Sequence, residues 1–226
     1  MNTVNENLNK VMISPSLIAA DLSNMAAIVK TFDPSIIDLL HLDVMDGNFV
    51  PNITFGAGYA KALKTHTNIP LDVHLMIENP EKYVEDFAQA EPWCITFHYE
   101  ATRYSARLLQ KIRDLKTRSA VALNPSTPVE SIFDIAVYAD MILIMSVEPG
   151  FYGQKFMPNA INRIEKLKTF LCNNKLETLI QIDGGINSQN IRDAVSAGAD
   201  IVVAGGSAFA YNLVNENVKK MKLAIA

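Results

Sequence analysis

The sequence has little cysteine: only Cys94 and Cys172 occur, far apart and without a CxxC or CxxH partner. That pattern excludes a disulfide framework and a thiolate metal knuckle, and it fits two free thiols in a reducing cytoplasm. Excess positive charge is also missing. The 20 Lys and Arg against 24 Asp and Glu leave a formal net charge of −4, which gives no footprint for nucleic acid. A small anionic metabolite needs only a local positive site, so it stays admissible. No apolar run approaches the ~20 residues of a membrane span. Residues 1–10 are polar and carry Glu6, so they lack the basic start and apolar stretch of a signal peptide. The expectation is a soluble cytoplasmic protein, with a polar tail over 1–10 and one domain over 11–226.

Apolar residues are plentiful. They make up 49% of 226 residues, enough for one sizeable core. Short apolar runs at 12–17, 37–44, 71–76, 94–98, 120–123, 141–146, 179–183 and 201–204 predict strands. Helical patterns follow them at 22–31, 57–64, 80–90, 102–116, 129–138, 159–173, 188–197 and about 213–225. Within 102–116, Leu108, Leu109, Ile112 and Leu115 recur at three- and four-residue steps, while Arg107, Lys111, Arg113 and Lys116 occupy other faces. This is a surface helix with one buried stripe. Eight strand–helix alternations imply a parallel sheet, because each helix returns the chain to the same end. In this length they predict a single (β/α)8 TIM barrel, with an open doubly wound sheet as the rival. The outer helix faces are polar, which suits a monomer and a homo-oligomer alike.

Three polar clusters end strand-like runs: His41-Leu42-Asp43-Val44-Met45-Asp46-Gly47, Asp72-Val73-His74-Leu75-Met76 and Ile182-Asp183-Gly184-Gly185. Residues two apart in a strand share a face, so His41, Asp43 and Met45 point one way. With the three strands in one barrel, His41, Asp43, His74 and Asp183 converge at the C-terminal end, where barrels of this kind carry their sites. Two imidazoles and two carboxylates suit one divalent metal ion, with zinc, iron(II), manganese and cobalt all compatible. Without a cation, the two neighbouring aspartates would raise the pKa of at least one of them. Two such carboxylates can also exchange a proton with a substrate. Asp72 shares the His74 face and suits a supporting role, and Asp46 suits loop organisation. His98 is open between a site contact and a strand cap, and His66 belongs to a surface turn.

Glycines form a second constellation. Gly150-Phe151-Tyr152-Gly153-Gln154 follows the sixth strand, Gly184-Gly185 the seventh and Gly205-Gly206-Ser207 the eighth. Glycine lets backbone amides approach an anion, and the last loops of a barrel often hold phosphate. Met45, Met76 and Met145 all fall at strand ends, as core filler or as an apolar cap that excludes water.

From about residue 13 to 209 the chain resembles the ribulose-phosphate 3-epimerase family. The resemblance rests on Ile13-Ser14-Pro15-Ser16-Leu17, on the clusters at 41–47 and 72–76, and on Phe49-Val50-Pro51-Asn52. It continues through Leu123-Asn124-Pro125, Val147-Glu148-Pro149-Gly150-Phe151 and Asp183-Gly184-Gly185-Ile186. It implies metal-dependent inversion at C3 of a ketose phosphate, interconverting D-ribulose 5-phosphate and D-xylulose 5-phosphate through a cis-enediolate. Asp43 and Asp183 then look like the acid/base pair, and His41, Asp43, His74 and Asp183 like the metal ligands. Ser16 and His74 resemble substrate contacts, and the backbones of 150–153, Gly184, Gly185, Gly206 and Ser207 the sugar-phosphate cradle. D-Allulose 6-phosphate epimerisation uses the same reacting centre and stays open. A metal-dependent phosphosugar lyase and a non-catalytic phosphosugar-binding barrel are the alternatives of other classes.

Overall fold

Strand formation follows the β-branched and apolar runs. A computed structural model describes residues 11–226, so the polar tail expected over 1–10 lies outside the described residues. The strands are β1 (Met12–Pro15), β2 (Leu40–Met45), β3 (Leu71–Met76), β4 (Cys94–His98), β5 (Arg118–Leu123), β6 (Met141–Met145), β7 (Leu179–Asp183) and β8 (Ile201–Ala204). All neighbours pair in parallel, in the order β1-β8-β7-β6-β5-β4-β3-β2. The ring closes between β1 and β2 through a bridge from Ser16 to His41 and through the Ile13 N–H, which donates to Asp38 Oδ2 at 2.9 Å. This is the (β/α)8 barrel that the alternation predicts.

The strands are buried on both faces, as parallel strands under helices must be. Outward residues such as Leu42, Val73, Ile95, Val121, Ile142 and Val202 pack under the helices in one large core. Inward residues form layers. Leu39, Cys94, Ala120, Met141 and Ile201 make an apolar floor. Above it the inward positions turn polar: Ser14, His41, Asp72, Thr96 and Gln181 are all fully buried. That polar layer carries the site at the C-terminal rim.

The helices are α1 (Met25–Lys30), α2 (Ala57–Lys64), α3 (Val84–Ala88), α4 (Ser105–Asp114), α5 (Asn159–Asn173), α6 (Ile191–Ala197), α7 (Gly206–Phe209) and α8 (Val214–Ile225). Several are shorter than the sequence patterns. The 22–31 and 80–90 patterns each begin as a 3-10 turn, Leu22–Asn24 and Pro80–Lys82, before becoming α-helical. The 129–138 pattern forms a 3-10 helix, Val129–Tyr138, throughout. Its Val, Ile and Phe residues have modest helix propensity. Tertiary packing holds it, with the Phe133 ring stacked on Phe170 of α5 at 3.8 Å between centroids. The short α7 is absent from the sequence expectation. No helix among the described residues is long and apolar enough to cross a membrane.

Candidate active site

Strand register assembles the polar cluster. Asp43 of β2 stands opposite His74 of β3, and His41 opposite Asp72, so two inward pairs stack on adjacent strands. Asp183 arrives from β7 across the barrel. His41 Nε2 lies 3.3 Å from Asp43 Oδ1, 3.3 Å from His74 Nδ1 and 3.9 Å from Asp183 Oδ2. His74 Nδ1 lies 3.3 Å from Asp43 Oδ1 and 3.9 Å from Asp183 Oδ2. One donor atom from each of the four residues falls within 4.8 Å of all the others. Two donors bound tetrahedrally to one ion, each about 2.1 Å from it, stand about 3.4 Å apart. The donor set therefore fits a single divalent cation in both chemistry and spacing.

Buried partners orient these donors. Asp72 Oδ2 accepts from His41 Nδ1 at 2.7 Å and from the Gln181 amide at 2.6 Å. That bond turns the His41 Nε2 lone pair toward the cluster, as a carboxylate behind a metal-binding imidazole does. Ser16 Oγ donates to Asp43 Oδ2 at 2.5 Å, which leaves Oδ1 facing the histidines. Asp46 organises its loop as expected, accepting from the Asn48, Phe49 and Glu78 N–H groups.

Electrostatics split the two aspartates. Burial pushes both carboxyls up, but the facing His41 and His74 outweigh it at Asp43 and hold that group far below the usual carboxylate range. Asp183 lacks such close partners. Burial and the charge of Asp43 push it up to about 7. Burial would lower His41, yet Asp43 and Asp72 raise it well above the ordinary imidazole value. Burial lowers His74, and it lowers His98 to about 4. The cluster thus has surplus negative charge that it satisfies with protons, which is the condition a cation relieves.

Above the cluster opens a cavity of about 230 Å³. Its walls include Ser16, Asp43 and Asp183, together with Gly150, Phe151, Tyr152, Gly153, Gly184, Gly185, Gly206 and Ser207. Met76 and Met145 form its apolar side. Met45 is buried in a neighbouring cluster with Val50 and Met76 rather than on the cavity wall. His41 and His74 lie fully buried beneath the opening. Gln181, which supports Asp72, is not singled out by the sequence, although its inward parity with Asp183 signals it, and His98, open in the sequence between a site contact and a strand cap, lies against His74.

Two glycines in the wall are structurally required. Gly184 and Gly185 have φ of +121° and +63°. A Cβ at Gly185 would stand 2.5 Å from the Phe156 nitrogen and 2.9 Å from the Gln154 carbonyl oxygen, both rigid backbone. Gly185→Ala is expected to destabilise the protein by about 2–3 kcal/mol, from steric displacement and left-handed strain. Denaturant unfolding checks this, and a loss below about 0.5 kcal/mol would show that the loop moves away freely.

Comparison with known proteins places this geometry in a family. Residues 12–209 match the model of the ribulose-phosphate 3 epimerase family. A ribulose-phosphate 3-epimerase of Methanocaldococcus jannaschii is 40% identical over 214 residues, covering 95% of this chain and 91% of the relative. One from Synechocystis is 42% identical over 201 residues, covering 88% and 87%. More distant barrels share the fold alone. A 3-hexulose-6-phosphate synthase structure aligns with a TM-score of 0.67 at 17% identity, covering 96% of this chain and all of the other. An orotidine 5'-phosphate decarboxylase of Pyrococcus horikoshii aligns at 0.65 and 16%, covering 95% and 99%. With the family model spanning most of the barrel and close relatives covering nearly the whole chain, the protein belongs to the ribulose-phosphate 3-epimerase family of enzymes.

Proposed function

We propose that this enzyme inverts C3 of D-ribulose 5-phosphate to give D-xylulose 5-phosphate, and the reverse. The observation that carries this reading is the pair Asp43 and Asp183, which border one cavity with opposite protonation preferences. The proton on C3 of a 2-ketose is weakly acidic, and inversion needs one group to remove it and another to return it from the other side. Asp43, held ionised, suits proton removal. Asp183, pushed up to about 7, suits proton delivery near neutral pH. In the reverse direction the roles exchange. Ser16 fixes the Asp43 carboxylate through its 2.5 Å hydrogen bond and prevents it from rotating away.

The residues that would hold one divalent cation are His41, Asp43, His74 and Asp183, and zinc, iron(II), manganese and cobalt all suit them. Such an ion supplies positive charge beside the substrate oxygens, where negative charge develops. Met76 and Met145 restrict water around that charge. The backbone at 150–153, Gly184, Gly185, Gly206 and Ser207 receives the phosphate and uses that remote binding to orient C3 between the aspartates.

The test compares turnover of D-ribulose 5-phosphate with that of D-allulose 6-phosphate, each with and without chelator. Faster, chelator-sensitive formation of xylulose 5-phosphate is the expected result. A clear preference for the hexulose would keep the chemistry and reassign the substrate. No turnover of either after metal is restored would overturn the proposal.

A further inference from the structure

Asp72 stands behind His41, and a different arrangement stands behind His74. The alternation that turns Asp72 and His74 inward from β3 turns Thr96 and His98 inward from β4. His98 is fully buried, and its Nε2 lies 2.8 Å from His74 Nε2. The two rings differ by 21° in plane with centroids 4.9 Å apart, so they meet edge to edge through these nitrogens. Phe49 packs on His98 at 4.8 Å between centroids and limits its rotation. Two neutral imidazole nitrogens at hydrogen-bond distance share one proton, so one donates and the other accepts.

The far side of His98 decides which. His98 Nδ1 lies 3.5 Å from Glu100 Oε2, close enough for the carboxylate charge to favour a proton there, although no hydrogen bond is completed. The Glu100 carboxylate is itself anchored, because Oε1 accepts from the Asn124 N–H at 2.9 Å and from the Thr127 hydroxyl. An ionised carboxylate only accepts. The proton of His98 therefore belongs on Nδ1, facing Glu100, and its Nε2 presents a lone pair to His74. His74 must then carry its proton on Nε2. That leaves the His74 Nδ1 lone pair facing Asp43, Asp183 and His41 Nε2, the direction in which a cation ligand must point.

We propose that His98 is a positioning residue that fixes the tautomer of His74 for metal binding, with Glu100 fixing the tautomer of His98. This rests on the metal reading above and extends it. Each ligating histidine would then end on a carboxylate, His41 directly through Asp72 and His74 through a second imidazole. Supporting groups of this kind are worth about 10–100-fold in metal affinity.

The experiment measures zinc affinity by competition with a chromophoric chelator, for the intact protein, His98→Phe and His98→Gln. Phenylalanine keeps the ring against Phe49 but offers His74 no acceptor, whereas the glutamine amide oxygen can replace Nε2. His98→Phe is expected to weaken zinc binding by about 10–100-fold, with His98→Gln recovering most of the loss. A His98→Phe variant that is folded by thermal melting and holds zinc as tightly as the intact protein would overturn the positioning role. An intact protein that takes up no stoichiometric zinc would instead overturn the metal reading itself. Nitrogen-15 spectra of the zinc-loaded intact protein give a test that needs no variant. They should show His98 protonated on Nδ1 and bare on Nε2, and a proton on His98 Nε2 would overturn the proposal.

Discussion

Replacing Asp183 with asparagine is expected to lower kcat for epimerisation by at least about 10³-fold while leaving the barrel folded. The amide cannot deliver or take up a proton at C3, so one direction of transfer disappears. Asp183 lies at the end of β7 with 17% of its side chain exposed, and its neighbours make few demands on its charge for folding. Removing that charge also relieves its repulsion with Asp43, so the melting temperature of the metal-free protein should hold or rise. A second readout separates loss of an acid/base from general damage. With Asp43 intact, one epimer should still exchange its C3 hydrogen with deuterated solvent without inverting, while the other should not exchange. Asp43→Asn should reverse that preference between epimers. Near-normal turnover by Asp183→Asn, or exchange from both epimers, would remove the two-carboxylate mechanism.

The parts legible in the sequence share one physical origin, the two-residue period of a strand. That period places His41 with Asp43 and Asp72 with His74, and the alternation of strands with helices sends all of them to one rim. The barrel and the convergence of His41, Asp43, His74 and Asp183 were both readable for this reason. Contacts between strands distant in sequence were not. The Gln181 amide reaches Asp72 across 109 positions of chain, and no local pattern specifies that pairing. His98 was open between two roles because only the register of β3 against β4 brings its Nε2 to His74. Helix type departs from the sequence pattern where tertiary packing overrides local preference, as at Val129–Tyr138, which keeps the expected bounds but forms 3-10 turns with Phe133 against Phe170. Met45 shares the parity of Met76 and stands opposite it in register, yet it is enclosed with Val50 and Phe49 rather than exposed on the cavity wall, a loop contact that strand parity does not encode.

Stripping metal with a chelator is expected to abolish turnover and to lower thermal stability together. Without a cation, the cluster holds Asp43, Asp72 and Asp183 around His41, and it limits their repulsion by keeping protons on His41 and Asp183. A divalent ion replaces those protons with a stronger and better placed charge. Binding to the folded state alone stabilises it by about 4 kcal/mol when free metal exceeds the dissociation constant by about 1,000-fold. For a chain of this size that corresponds to a rise in Tm of about 8–16 °C. The sign of the pH dependence follows from the same protons. In the metal-free cluster Asp183 is pushed up to about 7, and His41 is raised well above the ordinary imidazole value, so both favour holding a proton. Metal uptake must displace those protons, so apparent affinity should rise with pH, and acidification below 7 should release metal. Calorimetry in buffers of different ionisation enthalpy would count the protons released. Full activity and an unchanged Tm after exhaustive chelation would mean that the four side chains act without a cation, and the surplus negative charge would need another explanation.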